Sequence, residues 1–242
     1  MIVFPAIDIL AGKCVRLHQG RYDAVTVYAD DPSEVARLWQ AQGAEWLHVV
    51  DLDGAKDGRP VNLEAVEKIA ARVDLPVQYG GGAREEADLR RLFNLGVRRI
   101  VLGTTLITDP EFAAKAVAEF GDALVAGVDA RNGKAAVAGW REDTDINAAE
   151  LAGELQGRGI ARVIYTDISV DGTRRGPNLE ATRTLAESLA IPVIASGGVS
   201  ALSDIRALTA LEGVGVEGVI IGSALYERSF ELSEALKVAG RC

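Results

Sequence analysis

The chain has 242 residues, 48% of them hydrophobic, and a formal charge of −9 at neutral pH. That is enough apolar material for one large core, and the acidic balance excludes a general nucleic-acid surface, which has to neutralise phosphates with Lys and Arg. Two cysteines, Cys14 and Cys242, form neither a disulfide framework nor a zinc site, and no apolar run is long enough to cross a membrane.

The opening residues, 1–8, lack the basic leader of a signal peptide, so the expected location is the cytoplasm. Short runs rich in Val, Ile and Leu then recur, at 2–8, 46–51, 76–80, 99–103, 123–129, 162–167, 192–196 and 217–222. Runs of this kind read as strands buried on both faces. Helical periodicity fills the intervals at 32–41, 62–72, 85–95, 109–120, 147–157, 178–189 and 203–211, several of these led by a capping Asp, Asn or Ser. Gly43, Gly96, Gly157 and Gly159 are read as helix stops. The connection at 12–31 is longer than the usual few residues, and a loop that long is expected to be a lid.

Alternating strands and helices fit an open doubly wound sheet or a closed barrel, and an internal echo decides between them. Residues 4–13, Phe-Pro-Ala-Ile-Asp-Ile-Leu-Ala-Gly-Lys, return as 125–134, Val-Ala-Gly-Val-Asp-Ala-Arg-Asn-Gly-Lys. Asp8 and Asp129 are 121 positions apart, half the chain. Asp51, Asn62 and Gly82 are each answered 116 positions later, by Asp167, Asn178 and Gly198. Two four-stranded halves, about 1–120 and 121–242, predict an α/β fold: a single (β/α)8 TIM barrel in which strands one and five face each other and all strands end at one catalytic face.

Two constellations follow. Asp8 and Asp129 close matched strands, where partial burial tunes a carboxylate for proton transfer, and a symmetric pair serves as acid and base on either side of one substrate. Asp51 and Asp167 also match, but the turn residues after them read as loop structure. The second constellation is Gly81-Gly82 with Gly103-Thr104, repeated as Gly197-Gly198 with Gly222-Ser223. Glycines after a strand expose backbone N–H groups, and a hydroxyl beside the next helix adds a donor, so each set is expected to hold one phosphate. A small molecule phosphorylated at both ends is the implied ligand. Arg16, Arg84 and the run 171–176, which includes Asp171, Gly172 and Arg174, occupy the rim, and Trp140 stands in the polar loop after strand five. His48, inside strand two, reads as a satisfied barrel-wall residue rather than a catalyst.

The run 4–9, Phe-Pro-Ala-Ile-Asp-Ile, with Gly12-Lys13-Cys14-Val15-Arg16-Leu17, Gly80-Gly81-Gly82-Ala83-Arg84 and Tyr165-Thr166-Asp167-Ile168, resembles the phosphoribosylformimino-aminoimidazole carboxamide ribotide isomerases of histidine biosynthesis. The likeness runs the whole chain. Pro-Ala-Ile-Asp separates it from the sister cyclase subunit of imidazole glycerol phosphate synthase, whose first strand carries a Cys-Leu-Asp pattern. The resemblance implies an Amadori rearrangement of a bisphosphorylated aminoaldose to an aminoketose, with no metal and no cofactor; the expected partner is that small-molecule substrate, with no nucleic acid and no membrane, and the expected state is a monomer. It implies Asp8 as proton acceptor and Asp129 as proton donor, with Thr166, Arg16, Arg84 and Asp171 at supporting or substrate-contacting positions. Arg84, Trp140 and Arg141 are also compatible with a bifunctional enzyme that takes phosphoribosylanthranilate.

Overall fold

The computed structural model describes residues 1–18, 20–137, 140, 142–173 and 175–241, with Asp143 described in its backbone only. Arg141, Arg174 and Cys242 lie outside the described residues. Eight parallel strands run Ile2–Leu10, Leu47–Asp51, Val77–Gly80, Val97–Leu102, Leu124–Arg131, Val163–Asp167, Val193–Ser196 and Val216–Ile221. Each pairs with the next, and the eighth returns to the first through Phe4 opposite Ile220, so the sheet closes into a TIM barrel.

Side chains alternate across each strand, so parity sorts residues between the lumen and the helix-facing layer. Val3, Ile7 and Ile9 join the large core beneath the helices, whereas Phe4, Ala6, Val125, Ile164, Ile194 and Ile220 form a separate apolar cluster inside the barrel. Continuing that inward parity upward from Ala6 and Val125 reaches Asp8 and Asp129. The helices Pro32–Ala41, Leu63–Arg72, Glu86–Asn94, Pro110–Phe120, Ala148–Gly157, Leu179–Glu187 and Leu202–Thr209 wrap the outside. Asp31, Asp109, Asn147 and Asn178 cap four of them through side-chain oxygens. Gly157 is still within its helix, and the left-handed stop falls on Gly159 (φ 95°). Among the described residues no helix is long and apolar enough to cross a membrane.

Two connections differ from expectation. The stretch at 12–31 is an antiparallel hairpin, Lys13–His18 with Arg21–Ala29, and the segment after strand five is another, Lys134–Val137 with Glu142–Asn147. Strands one and five run two residues past their aspartates so that the hairpins can pair with them: Asp8 opposes Val15, and Asp129 opposes Ala136. The β-branched and aromatic content of Arg21–Ala29 favours a strand, but nearly every residue in it is exposed or half-buried. With no buried stripe to set a period, the sequence reads as loop.

Asp51 and Asp167 do build loops. The fully buried Asp51 carboxylate accepts from the backbone N–H groups of Gly54, Val61 and Asn62, from Asn62 Nδ2 at 2.7 Å and from the Tyr79 hydroxyl. Asp167 accepts from Asn178 Nδ2, also at 2.7 Å, and from Ser169. Asp51→Ala takes the acceptor from three backbone N–H groups, while Tyr79 and Asn62 Nδ2 keep bonds to the Gly81 carbonyl and Asp53, so it is expected to cost about 3 kcal/mol or more, read as a lowered midpoint of thermal or urea unfolding. An unchanged midpoint would contradict this account of the loop.

Candidate active site

All sixteen site residues named from the sequence line one cavity of about 310 Å³ at the C-terminal mouth of the barrel: Asp8, Arg16, Gly81, Gly82, Arg84, Gly103, Thr104, Asp129, Trp140, Thr166, Asp171, Gly172, Gly197, Gly198, Gly222 and Ser223. The strand ends carry most of them. The two hairpins bring Arg16 and Trp140 over the mouth from opposite sides, and their tips meet: a Cβ on Gly20 would lie 2.7 Å from the Trp140 ring. The first hairpin is tied down further by the Tyr22 hydroxyl, which donates to the Leu52 carbonyl at 2.8 Å, and by Tyr226, which donates to the Ala6 carbonyl and lies 3.3 Å from the Cys14 thiol.

The two aspartates are equivalent in sequence and unlike in surroundings. Burial raises the pKa of both above the ordinary carboxylate range. Asp8 has a cation against it, since Arg16 Nη1 donates to its Oδ2 at 2.8 Å, and that charge pulls its pKa back down. Among the described residues Asp129 is met by neutral donors, the Trp140 side chain and the hydroxyl of Thr166, its neighbour across the fifth and sixth strands. Asp171 is a third carboxylate in the same space, half-buried and raised by desolvation, and its negative charge disfavours ionisation of both others. Three acids around the Arg16 guanidinium in one cavity favour a mixed protonation state, with the proton held away from Arg16.

The glycine pairs sit where no side chain fits. Gly82 has φ 82°, and a Cβ there would lie 2.2 Å from the Gly54 carbonyl oxygen. Gly198 repeats this with φ 82° and a contact of 2.4 Å to the Gly176 oxygen, whose own N–H donates to the Gly198 carbonyl. Each pair therefore locks a strand-end loop against the preceding loop and keeps its backbone open to the cavity. Arg16 packs on Gly222, where a Cβ would approach its Nη2 to 2.4 Å, so this guanidinium links Asp8 to the loop after strand eight. Arg84 is exposed at the opposite rim and lies over Gly58.

His48 also lines the cavity, as do Val50 and Ser196, which the sequence reading did not single out. The available signal was parity: His48 and Val50 are two apart on strand two, so both face inward. Among the described residues no group of His, Cys, Asp or Glu side chains is arranged to hold a metal ion.

The family profile described as "Histidine biosynthesis protein" matches residues 2–231. A relative from Synechocystis sp. is 53% identical over 240 residues, covering 99% of this chain and 94% of its own length. Relatives from Rippkaea orientalis (53% identical, 99% and 93% covered) and Geotalea uraniireducens (50% identical, 100% and 99% covered) are similar over the same span. All three are named 1-(5-phosphoribosyl)-5-((5-phosphoribosylamino)methylideneamino) imidazole-4-carboxamide isomerase.

Proposed function

The chain belongs to the histidine biosynthesis protein family, and from that premise we propose that it catalyses the isomerisation for which those relatives are named, the Amadori rearrangement of the phosphoribosylformimino aminoaldose to its phosphoribulosyl aminoketose. It is an aldose–ketose isomerase, and we place its reaction in the cytoplasm. The observation that carries the reading is the unequal pair: a carboxylate held against Arg16 at 2.8 Å on one wall, and on the other a half-buried carboxyl that, among the described residues, is bonded to neutral donors.

That inequality assigns the proton transfers. Asp129, desolvated and with no cation against it among the described residues, starts protonated and delivers its proton to the ribosyl ring oxygen as the C1–O bond breaks and the nitrogen lone pair forms a C1=N double bond. Asp8, kept ionised by Arg16, removes the C2 proton, and those electrons neutralise the iminium to give an enaminol. The enaminol then takes a proton at C1 and loses one from the C2 hydroxyl, leaving a C2 ketone and a C1 methylene amine. Gly81, Gly82, Gly103 and Thr104 on one side, and Gly197, Gly198, Gly222 and Ser223 on the other, hold the two phosphates and stretch the ligand across both aspartates.

Incubating the protein with the aminoaldose and following the absorbance change, with the product identified as the aminoketose, tests the function. No change would end the reading, and ammonia-dependent consumption of the aminoketose would point to the cyclase instead. Parallel incubation with phosphoribosylanthranilate shows whether that ligand is also turned over.

The assignment also predicts a pH shift. Arg16 lowers the pKa of Asp8, so Arg16→Met lets burial raise it further. The base is then protonated over a wider range, and the acid limb of the kcat/KM profile is expected to move to higher pH, with roughly 100-fold lower activity at neutral pH. An acid limb that stays in place in this variant would mean that Asp8 is not the base.

A further inference from the structure

His48 has an arrangement that a packing residue does not need. It lies on the second barrel strand in register with Ala6 on one side and Gln78 on the other, is 9% exposed, and lines the same cavity as Asp8. Asp8 is in register with Val50, so His48 sits two residues deeper on the neighbouring strand and on the same inward face, roughly 6–7 Å below. Its Nδ1 is 3.1 Å from Gln78 Nε2. Its Nε2 has no partner among the described residues and is left to face the cavity.

Gln78 sets the tautomer. This amide is fully buried, and its Oε1 has no hydrogen-bond partner. In this orientation Nε2 donates to the ring, so Nδ1 is the acceptor and the imidazole proton sits on Nε2. The reversed amide would bury both N–H donors unpaired, and unpaired buried donors are rarer and costlier than an under-used carbonyl. Burial and then the nearby Arg16 charge push the imidazole down to about 4, so the ring is neutral in the working range. A buried Gln that spends its only hydrogen bond on orienting a neutral His is the kind of outer partner that prepares a donor for a ligand.

We propose that His48 is a substrate-contacting residue whose neutral Nε2–H donates to the C2 oxygen of the open-chain sugar, with Gln78 as the positioning residue that fixes its tautomer. This rests on the isomerase reading above. The C2 oxygen is the fitting acceptor because Asp8, directly above on the adjoining strand, takes the proton from that same carbon. As the C2–H electrons form the C1=C2 bond of the enaminol, and as the O–H electrons then form the C2 carbonyl while that double bond takes up a proton at C1, this oxygen changes character in both steps, and a donor fixed against it favours both. His48 keeps its proton throughout. An imidazolium there would place a second cation below Asp8 and weaken it as a base, whereas the neutral ring supplies a hydrogen bond without that charge.

The protein has two histidines, so 15N-histidine labelling with a His18→Gln control assigns the His48 ring. Two-bond 1H–15N correlation is expected to show a neutral Nε2–H tautomer between about pH 6 and pH 8. The Nε2 signal is expected to shift when the protein is saturated with the aminoketose product, whose C2 carbonyl is the proposed acceptor. His48→Leu is expected to lower kcat by roughly 100-fold or more with KM little changed, and His48→Gln, which restores an N–H donor near the same point, to recover at least about tenfold of that loss. Gln78→Met should mix the tautomers in the NMR spectrum and lower kcat by roughly tenfold. A wild-type ring found as imidazolium or Nδ1–H, an Nε2 signal unmoved by product, or a His48→Gln variant as slow as His48→Leu would each overturn the proposal. Wild-type protein inert toward the aminoaldose would instead remove the isomerase reading, and with it the identity of the acceptor, while the free-protein spectrum still decides the tautomer.

Discussion

Asp8→Asn is expected to reduce kcat by about 10³- to 10⁴-fold, the range of a lost general base, while KM changes by no more than about threefold. Binding is expected to survive because Asp8 is not one of the phosphate-holding groups, and the Asn amide fills the carboxylate's volume beside Arg16 and keeps an oxygen for it. The chemical step fails because C2 has no other acceptor so placed among the described residues: the Asp171 carboxyl is raised by desolvation, and Asp129 has to begin the cycle protonated. Asp129→Asn should be milder, at roughly 100-fold, since an aminoaldose ring opens slowly unaided. Single-turnover kinetics with C2-deuterated substrate separate the two variants. Product formation in Asp8→Asn at the wild-type rate would refute the assignment, and so would a larger loss in Asp129→Asn. The pH profiles give a second reading. Both pKa values are raised, so the wild-type acid limb, set by ionisation of Asp8, lies above the ordinary carboxylate range. The alkaline limb, set by loss of the Asp129 proton, disappears in Asp129→Asn.

Gly198→Ala and Gly82→Ala are expected to raise KM by roughly 100-fold each. Alanine would suffice for this, because the obstacle is the Cβ itself. At Gly198 it would lie 2.4 Å from the Gly176 oxygen, and at Gly82 2.2 Å from the Gly54 oxygen, both backbone atoms that cannot rotate away. Each substitution also forces an L-residue into φ 82°, a strain of about 1–2 kcal/mol. The loops must separate to relieve it, which spreads the N–H groups meant for one phosphate. A serine at Gly213, where a Cβ meets nothing within 4 Å, controls for glycine loss as such, and one at Gly240, also in open space but at φ 72°, controls for the backbone strain alone. Substrate affinity is measured by isothermal titration on variants whose circular dichroism matches wild type. A folded Gly198→Ala protein with near-normal affinity would sink the two-cradle account, whereas loss in one variant alone would assign the phosphate to that half only.

Much of this protein was legible before its structure. The eight strands, the helix caps at Asp31, Asp109, Asn147 and Asn178, and the paired glycines all follow from local rules of periodicity, capping and turn chemistry, which act over a few residues. The echo between halves then supplied closure, and with it the convergence of Asp8 and Asp129, because equal halves of one barrel place equal residues opposite each other. Even the Asn62–Asp51 and Asn178–Asp167 bonds, both 2.7 Å, repeat between the halves.

What the sequence could not order is how the halves differ. Its symmetry offers Asp8 and Asp129 as equals, and only tertiary packing puts Arg16 on one and Trp140 with Thr166 on the other. The hairpin that delivers Arg16 escaped detection because its outer strand, Arg21–Ala29, buries no residue, and periodicity is visible only where burial imposes it. Its anchors are also remote in the chain: Gly20 meets Trp140, and the Tyr226 hydroxyl reaches the Ala6 carbonyl. His48 gave a strand-parity signal that it faces inward, but whether an inward histidine packs or works depends on which nitrogen its neighbour occupies. That is decided by Gln78, thirty residues away and one strand over. Local backbone preference and hydrophobic pattern determined the barrel and its two matched ends, while the protonation state of each acid and the hydrogen of one imidazole were set by contacts that exist only once the barrel has closed.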